Sequence, residues 1–199
     1  MKAVVFDLGG VVFHYTPQIR WQKFAEVTGE DPDVIRRRMQ DSGYAESCDR
    51  GRLNRDRAYR EGVKLLGHRL SAARFTAIWI SVFKPDEAVI DIVHALKNHY
   101  AVALLSNNSA LAHHGLESAY PHVMELFRPR LFSADLGLMK PDPRAFAAAL
   151  EMLNTTGQET LLIDDSSANT STASSLGIIT HQFVAAPMLR SALIDLDML

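Results

Sequence analysis

Three short apolar runs in the chain end abruptly in polar residues, and each is followed by a segment with helical periodicity. The runs are Ala3–Phe6 before Asp7, Ala101–Leu105 before Ser106 and Asn107, and Thr160–Ile163 before Asp164 and Asp165. Such continuous apolar runs are typical of strands buried on both faces of a parallel sheet. The repeated unit predicts an α/β fold with a doubly wound, Rossmann-like, mainly parallel sheet. Ligands bind at the carboxyl ends of such strands, so the polar clusters are expected to meet there.

Residues 16–83 have a different pattern, with apolar residues at helical spacing and no convincing strand. Asp31 and Ser71 are typical helix starts, and three glycines predict breaks between helices: Gly43, Gly51 and Gly67. We therefore expect a helical insertion over residues 16–83, within a Rossmann-like core made of residues 1–15 and 84–199.

The second part of the chain predicts the helices that cover the sheet. They are expected over residues 86–98, 144–153, 167–176 and 188–196, with a further strand over 178–181. Gly177 is expected to end the third of these helices. The alanine-rich face of residues 144–153 suits close packing on a sheet.

Composition excludes several classes of protein. The 199 residues carry a formal net charge of -2, so no basic surplus indicates a nucleic-acid partner. No apolar run has the length of a membrane span, and Asp7 interrupts the first apolar run too early for a signal peptide. A single cysteine, Cys48, allows no internal disulfide and fits a reducing compartment, so a cytoplasmic location is predicted. The sequence does not indicate an oligomeric state.

Asp7 is the first candidate for chemistry, because it follows a buried run and precedes two glycines. A carboxylate can attack phosphorus and form an acyl phosphate, which divides hydrolysis into two easier steps. Gly9 and Gly10 let the backbone approach a phosphate with its N–H groups directed at the oxygens. A structural alternative is that Asp7 merely caps a turn or a helix.

The other polar clusters supply complementary chemistry. Asp164 and Asp165 are adjacent carboxylates of the kind that binds Mg²⁺. Ser106 and Asn107 offer a hydroxyl and an amide to phosphate oxygens, and Lys140 offers a positive charge that offsets the negative charges of a phosphate and a carboxylate. Each cluster alone also has a simpler explanation as a helix cap, a turn or a surface loop. Their order and spacing together favour the catalytic interpretation.

That arrangement resembles the haloacid dehalogenase superfamily over essentially the whole chain. Four motifs occur in the family's order: Phe6-Asp7-Leu8-Gly9-Gly10-Val11-Val12, Ser106-Asn107, Lys140-Pro141-Asp142-Pro143 and Asp164-Asp165-Ser166-Ser167-Ala168-Asn169. The helical insertion resembles the family's α-helical cap. The chain is most similar in pattern to bacterial sugar-phosphate phosphatases and to the phosphatase domain of soluble epoxide hydrolase.

The resemblance implies a Mg²⁺-dependent phosphomonoester hydrolase that acts on a small phosphorylated metabolite, such as a sugar phosphate. It implies that Asp7 is the nucleophile and Lys140 its partner, that Ser106, Asn107 and Gly10 surround the phosphoryl group, and that Asp7, the Gly9 carbonyl and Asp165 bind the metal, with Asp164 and Asn169 beside it. Asp164 is expected to support the metal ligands rather than to bind directly.

Gly9 is a departure from the family pattern. Most phosphatases of the family carry an aspartate two residues after the nucleophile, as general acid and base, which typically contributes about 10²–10⁴ in rate. A cap residue, His14 or a metal-bound water are the alternative proton sources, although His14 is better explained as an ordinary loop residue. Loss of the acid predicts a steep dependence of rate on the acidity of the leaving group.

Two alternative functions remain open from the sequence. One is carbon–halogen cleavage, which relatives perform with an aspartate nucleophile and no Mg²⁺; the pair Asp164 and Asp165 argues against it. The other is binding of a phosphorylated ligand without catalysis. Five residues in cap loops are candidates to face the site: Tyr44, Asp49, Arg50, Arg52 and Asn54. His113 and His114 point in different directions on a helix and are predicted to be surface or packing residues.

Overall fold

The computed structural model of the protein describes residues 1–199. Its elements, in chain order, are β1 (Ala3–Phe6), β2 (Phe13–Tyr15), α1 (Gln18–Thr28), α2 (Pro32–Asp41), α3 (Tyr44–Asp49), α4 (Arg55–Leu66), α5 (Ala72–Ile80), β3 (Phe83–Pro85), α6 (Glu87–Leu96), β4 (Ala101–Ser106), α7 (Ala110–Ala119), α8 (Pro121–Met124), β5 (Arg130–Phe132), α9 (Ser133–Leu136), α10 (Pro143–Leu153), β6 (Thr160–Asp164), α11 (Ser167–Ser175), β7 (Ile179–Gln182) and α12 (Ala186–Asp195). A short 3-10 turn, Gly157–Glu159, precedes β6.

Five parallel strands form the main sheet in the order β5-β4-β1-β6-β7. β1 lies at the centre, where Val5 pairs with Ala103 of β4 and with Leu162 of β6. The prediction of a doubly wound parallel α/β sheet is confirmed. The chain adds β4 and then β5 on one side of β1 and afterwards β6 and β7 on the other. The strand order therefore reverses next to β1, and ligands are expected at its carboxyl end.

The residues of β1 alternate between the two faces of the sheet. Val4 and Phe6 belong to the larger buried cluster, which continues into the helical insertion, whereas Val5 faces a smaller cluster. Phe146 and Ala149 of α10 close that smaller face, as the alanine-rich pattern predicts. The continuous burial of β1 explains why its run contains no polar residue before Asp7.

Helices α1–α5 lie between β2 and β3, which pair as an antiparallel ribbon. The ribbon was not predicted, because its strands have three residues each and lie far apart in the sequence. Asp31 and Ser71 cap their helices as predicted, and the three expected glycine breaks have positive φ: Gly43, Gly51 and Gly67. The division into a core of residues 1–15 and 84–199 and a cap of residues 16–83 stays a prediction.

The helical insertion packs directly on the core through α5 and α7. The Trp79 indole N–H donates to the Ser109 hydroxyl, 3.2 Å away. Gly115 of α7 lies so close to α5 that a Cβ there would be 2.6 Å from Ile80 Cγ2. A larger residue at position 115 would therefore push the two helices apart. None of the twelve α-helices has the length and apolarity that crossing a bilayer requires.

Candidate active site

The carboxyl ends of the three central strands bring the predicted side chains together. Asp7 follows β1, Ser106 ends β4 and Asp164 ends β6. Lys140, from the segment before α10, enters the same edge of the sheet, where it is 4% exposed. The sheet topology therefore creates this cluster from residues that are far apart in the sequence.

Lys140 bridges two carboxylates in this cluster. Its Nζ lies 2.9 Å from Asp7 Oδ1 and 2.5 Å from Asp164 Oδ2. Burial raises the pKa of Asp7 to about 6, even though the charge of Lys140 lowers it. Burial also disfavours the charge of Lys140, but Asp7 and Asp164 outweigh that effect and the pKa of Lys140 is raised. Near pH 7 the arrangement therefore keeps Lys140 charged and Asp7 ionised.

Asp164 and Asp165 have opposite surroundings although they are adjacent. Asp164 is fully buried, and its carboxylate accepts bonds from the Ser166 N–H at 2.9 Å, from the Asn169 amide at 2.9 Å and from Lys140. Asp165 is exposed, and no side chain donates to its carboxylate. Partial burial of its carboxyl group and the neighbouring charge of Asp164 raise the pKa of Asp165. The Asp164 carboxylate is therefore occupied by bonds within the protein, whereas the Asp165 carboxylate is free to bind a ligand.

The donor set at this edge fits a magnesium ion. Carboxylate oxygens of Asp7, Asp164 and Asp165 lie within 4.8 Å of one another. The Gly9 carbonyl accepts no backbone hydrogen bond, so it is also free to act as a ligand. Hard oxygen donors of this kind are the ones that Mg²⁺ selects. Asp7, Gly9 and Asp165 would hold the ion, which would neutralise charge on a bound phosphoryl group.

Gly10 contributes space to the site. Its φ is +92°, and a Cβ on it would lie 2.4 Å from Asp165 Oδ2. Its N–H donates to the Phe13 carbonyl at 2.7 Å, so it is not available to a phosphate oxygen as the sequence led us to expect. The N–H groups of Gly9 and Asn107 donate to no backbone carbonyl and remain available.

Asn107 has a structural task beside its predicted contact with phosphate. Its amide donates to the Lys140 carbonyl at 2.7 Å and accepts from the Lys140 N–H at 2.8 Å. This pair of bonds fixes the backbone of the residue whose Nζ bridges the carboxylates. The Ser106 hydroxyl accepts from the Asn108 amide at 2.9 Å and keeps its own proton to donate.

A cavity of about 200 Å³ lies over these residues, and side chains of the helical insertion line part of it. The core side is lined by Asp7, Gly9, Ser106, Asn107, Asn108, Lys140 and Asn169, and the opposite side by Tyr15, Arg20, Asp49, Trp79 and Phe83. Of the five candidates expected in cap loops, Tyr44 and Asp49 lie instead on α3, and Asp49 lines the cavity. Arg50 pairs with Glu46 at the surface, and Tyr44 is buried within the cap.

Arg20 is the functional candidate that sequence reasoning missed. It is 6% exposed, its Nε donates to the Trp79 carbonyl at 2.8 Å, and its Cζ lies 4.0 Å from the centre of the Trp79 ring. Its terminal nitrogens bond to no protein atom. The available signal was its position four residues before Phe24, which places a charge on the buried face of α1.

The histidines take the positions of ordinary structural residues, with one correction. His14 lies on β2 rather than in a loop, has a 61% exposed side chain 3.7 Å from Asp86, and does not line the cavity. His113 stacks on Phe132, with ring centres 4.0 Å apart, and contacts Asp135, as expected for a packing residue.

Comparison with known proteins gives consistent matches over nearly the whole chain. The family described as haloacid dehalogenase-like hydrolase matches residues 1–177. The D-ribitol-5-phosphate phosphatase of Bacteroides thetaiotaomicron is 27% identical over 92% of this chain and 91% of its own length. The sesquiterpene phosphatase astK of Aspergillus oryzae is 27% identical over 89% of this chain and 87% of its own.

A solved structure has the same architecture. The family enzyme bt-2542 of B. thetaiotaomicron, in complex with magnesium and inorganic phosphate, superposes with a TM-score of 0.82 at 25% identity. The superposition covers 93% of this chain and 95% of that one. With the family match over residues 1–177, the chain belongs to the haloacid dehalogenase-like hydrolase family.

Proposed function

We propose that the protein is a Mg²⁺-dependent phosphomonoester hydrolase, that its substrate is a small hydroxylated metabolite phosphate, and that the reaction passes through an aspartyl phosphate on Asp7. The observation that carries the proposal is the charge arrangement at the end of β1. Three carboxylates lie within 4.8 Å of one another, and Lys140 bridges two of them. A site with this surplus of negative charge suits a divalent cation, and the cation in turn suits an anionic substrate.

Each residue on the core side has a distinct task in this reaction. An oxygen of Asp7 attacks phosphorus, while Lys140 holds that carboxylate ionised and in position. The Ser106 hydroxyl and the free N–H groups of Gly9 and Asn107 are suited to the phosphoryl oxygens. Such prepositioned donors stabilise the charge that builds up in the transition state. Bound magnesium would add further neutralisation of that charge.

The cap side supports a polar substrate of modest size. Arg20 offers unpaired N–H donors and Asp49 an unpaired carboxyl group, which together match hydroxyl groups of a sugar or a polyol. A cavity of about 200 Å³ with this lining favours a ligand like the one named for the D-ribitol-5-phosphate phosphatase. It fits the terpene named for the Aspergillus relative less well, because a terpene chain cannot bond to either group.

A phosphate-release screen tests the proposal directly. Sugar phosphates, polyol phosphates and aryl phosphates are offered with Mg²⁺ and with a chelator, and halide release from 2-haloacids is measured in parallel. We expect phosphate release that requires Mg²⁺ and no halide release. Halide release without metal would support a dehalogenase instead. Tight binding of a phosphorylated compound without turnover would support the non-catalytic alternative.

A further inference from the structure

We propose that Asp49 of the cap is the general acid and general base of the phosphatase reaction, in place of the side-chain acid that Gly9 lacks. The inference rests on the proposed phosphatase function. Asp49 is the last residue of α3 and lines the same cavity as Asp7 and Gly9. It is the one carboxyl group that the cap contributes to that cavity.

The core fixes the position of Asp49 at two points. The Ser133 hydroxyl, at the start of α9, donates to the Asp49 carbonyl at 2.6 Å. Two residues further on, Gly51 has a φ of +70°, and a Cβ on it would be 2.1 Å from the Ala134 carbonyl oxygen. The turn after α3 therefore lies directly on the core. The backbone of Asp49 is therefore held by the core as well as by the cap.

The carboxyl group of Asp49 is free to exchange a proton. It forms no hydrogen bond or ion pair with any protein group, so a bound substrate meets it without competition. Burial raises the pKa of Asp49 to about 7, although the charge of Arg20 lowers it. A general acid works best with a pKa near the working pH, because it can then both give and recover a proton.

No neighbouring ionisable group can donate and accept this proton in place of Asp49. Arg20 on α1 is the one charge that acts on it, and none from α2, α4, α7 or α9 does. Within α3, burial raises the pKa of Cys48 to about 12 and raises the pKa of Tyr44, so both stay neutral. Ser133 of α9 is a neutral donor. Arg20 cannot serve as the acid, since a guanidinium is not deprotonated in proteins.

The proton balance closes with Asp49 in both steps. In the first, Asp7 forms a bond to phosphorus, the bond from phosphorus to the ester oxygen breaks, and protonated Asp49 gives its proton to that oxygen. In the second, water attacks the aspartyl phosphate, the Asp49 carboxylate takes a proton from the water, and Asp7 leaves as a carboxylate. The products are the free alcohol and phosphate, with both aspartates restored.

Asp49→Asn is the first test, because it removes the proton and changes the volume little. Single-turnover rates are measured with D-ribitol 5-phosphate and with a series of substituted phenyl phosphates. We expect the alkyl substrate to lose about 10²–10⁴ in rate, and 4-nitrophenyl phosphate, whose leaving group needs no proton, to lose far less. Wild type should show a shallow dependence on leaving-group acidity, in place of the steep dependence expected from Gly9 alone. Glu46→Gln, at the exposed surface of α3, is the matched control.

The pH profile gives a readout that a purely structural role would not change. Wild-type phosphorylation by the alkyl substrate should slow as the pH rises through about 7, because Asp49 loses the proton that it must donate. Asp49→Asn should lack that decline with the same substrate, so ionisation of the substrate cancels in the comparison. An unchanged profile and an unchanged ratio of alkyl to aryl rates would overturn the proposal while leaving the phosphatase function intact.

Equilibrium unfolding provides a test without catalysis. The pKa of Asp49 is higher in the folded protein than the ordinary value of 3.8, so the folded state retains the proton longer. Raising the pH from about 4 to about 7 should therefore lower the stability of wild type relative to Asp49→Asn, with no further change above that window. A pH-independent difference between the two proteins would count against a raised pKa and against the proposal. Absence of any wild-type phosphate release would instead refute the proposed function itself.

Discussion

The two sides of the cavity use their polar groups in opposite ways. On the core side, Lys140 Nζ lies within 2.9 Å of a carboxylate oxygen of Asp7 and of Asp164, so the three side chains form a chain of ionic contacts. On the cap side, the terminal nitrogens of Arg20 and the carboxyl oxygens of Asp49 have no protein partner. The core side is thus prearranged to bind the phosphoryl group, which all substrates share. The cap side has donors and acceptors that remain unpaired, which suits the part of the substrate that differs between relatives.

The largest effect should come from the centre of the core side. Asp7→Asn removes the attacking charge with almost no change in volume, so kcat should fall by at least about 10⁴-fold, as losses of a nucleophile do. The fold should persist, as judged by circular dichroism. Asp91→Asn, an exposed acid on α6, is the control and should retain wild-type turnover. Turnover near the wild-type rate in Asp7→Asn would remove Asp7 from the mechanism.

Lys140→Met tests whether ionic contacts stabilise the core side. It leaves two buried carboxylates without their cation, and loss of one partner in a buried ionic contact costs about 3–5 kcal/mol. The free energy of unfolding at pH 7 should fall by that amount, as measured in urea. The loss should shrink at low pH, where Asp7 is protonated. A pH-independent loss would indicate packing rather than charge.

Replacing Asp164 and Asp165 one at a time distinguishes the residue that binds the metal from the residue that supports the site. Asp165→Ala should lower the affinity for Mg²⁺ by at least about 10–100-fold, which is the loss typical even of residues that only support a metal ligand. It should not lower the unfolding temperature. Asp164→Ala should lower the unfolding temperature, because it removes the acceptor of the Asn169 amide and one of the two carboxylates that Lys140 contacts. Titrating metal against activity and measuring thermal unfolding in both variants decides the matter. A larger metal defect in Asp164→Ala would reverse the assignment.

Arg20→Met tests the open side of the cavity. It keeps most of the apolar contact with Trp79 but removes the donors, and a lost hydrogen bond to a charged group is worth roughly 1.5 kcal/mol or more. We expect about a tenfold lower kcat/KM for hydroxylated substrates and little change for phenyl phosphate. Arg144→Met, at the exposed start of α10, is the matched control. Equal losses for both substrates would mean that Arg20 supports the cap and does not contact substrate.

The smallest effect is expected at Gly9, and its neighbour sharpens the contrast. A Cβ at Gly9 would lie 3.3 Å from the Phe83 ring on the ribbon, whereas one at Gly10 would overlap Asp165. Gly9 also lacks the left-handed φ that glycine alone tolerates well. Gly9→Ala should therefore change stability by less than about 1 kcal/mol, and Gly10→Ala should cost more and weaken Mg²⁺ binding. Similar results for both would show that the two positions are not distinguished by their neighbours.

Sequence patterns predicted the core side well, for a physical reason. β1, β4 and β6 are buried on both faces, so their apolar runs are continuous and the polar residues that follow are conspicuous. β5 was missed because it has three residues and begins with Arg130. The pairing of β2 with β3 depends on contacts across about 70 residues, which no local pattern records.

The cap side was harder to predict, because its functional residues look like surface residues in the sequence. Arg20 lies in a helix with other charged residues, and only the packing of α1 on α5 shows that it is buried. Asp49 was one of five candidates predicted to lie in cap loops, and its position at the end of α3 and its contact with Ser133 required the structure. The two hydrogen bonds by which the Asn107 amide fixes the Lys140 backbone could also not be predicted without the tertiary structure.

The central position of β1 has a consequence for how the protein is synthesised. β1 is made first, but its partner β4 follows about 100 residues later and β6 about 160 residues later. At about 5–20 residues per second, the second edge of β1 stays unpaired for roughly 8–30 s on the ribosome. During that interval an apolar strand has open edges, which is a recognised risk for aggregation. A nascent chain of this family member is thus expected to depend on chaperones until β6 emerges, and the nucleophile has no complete site before then.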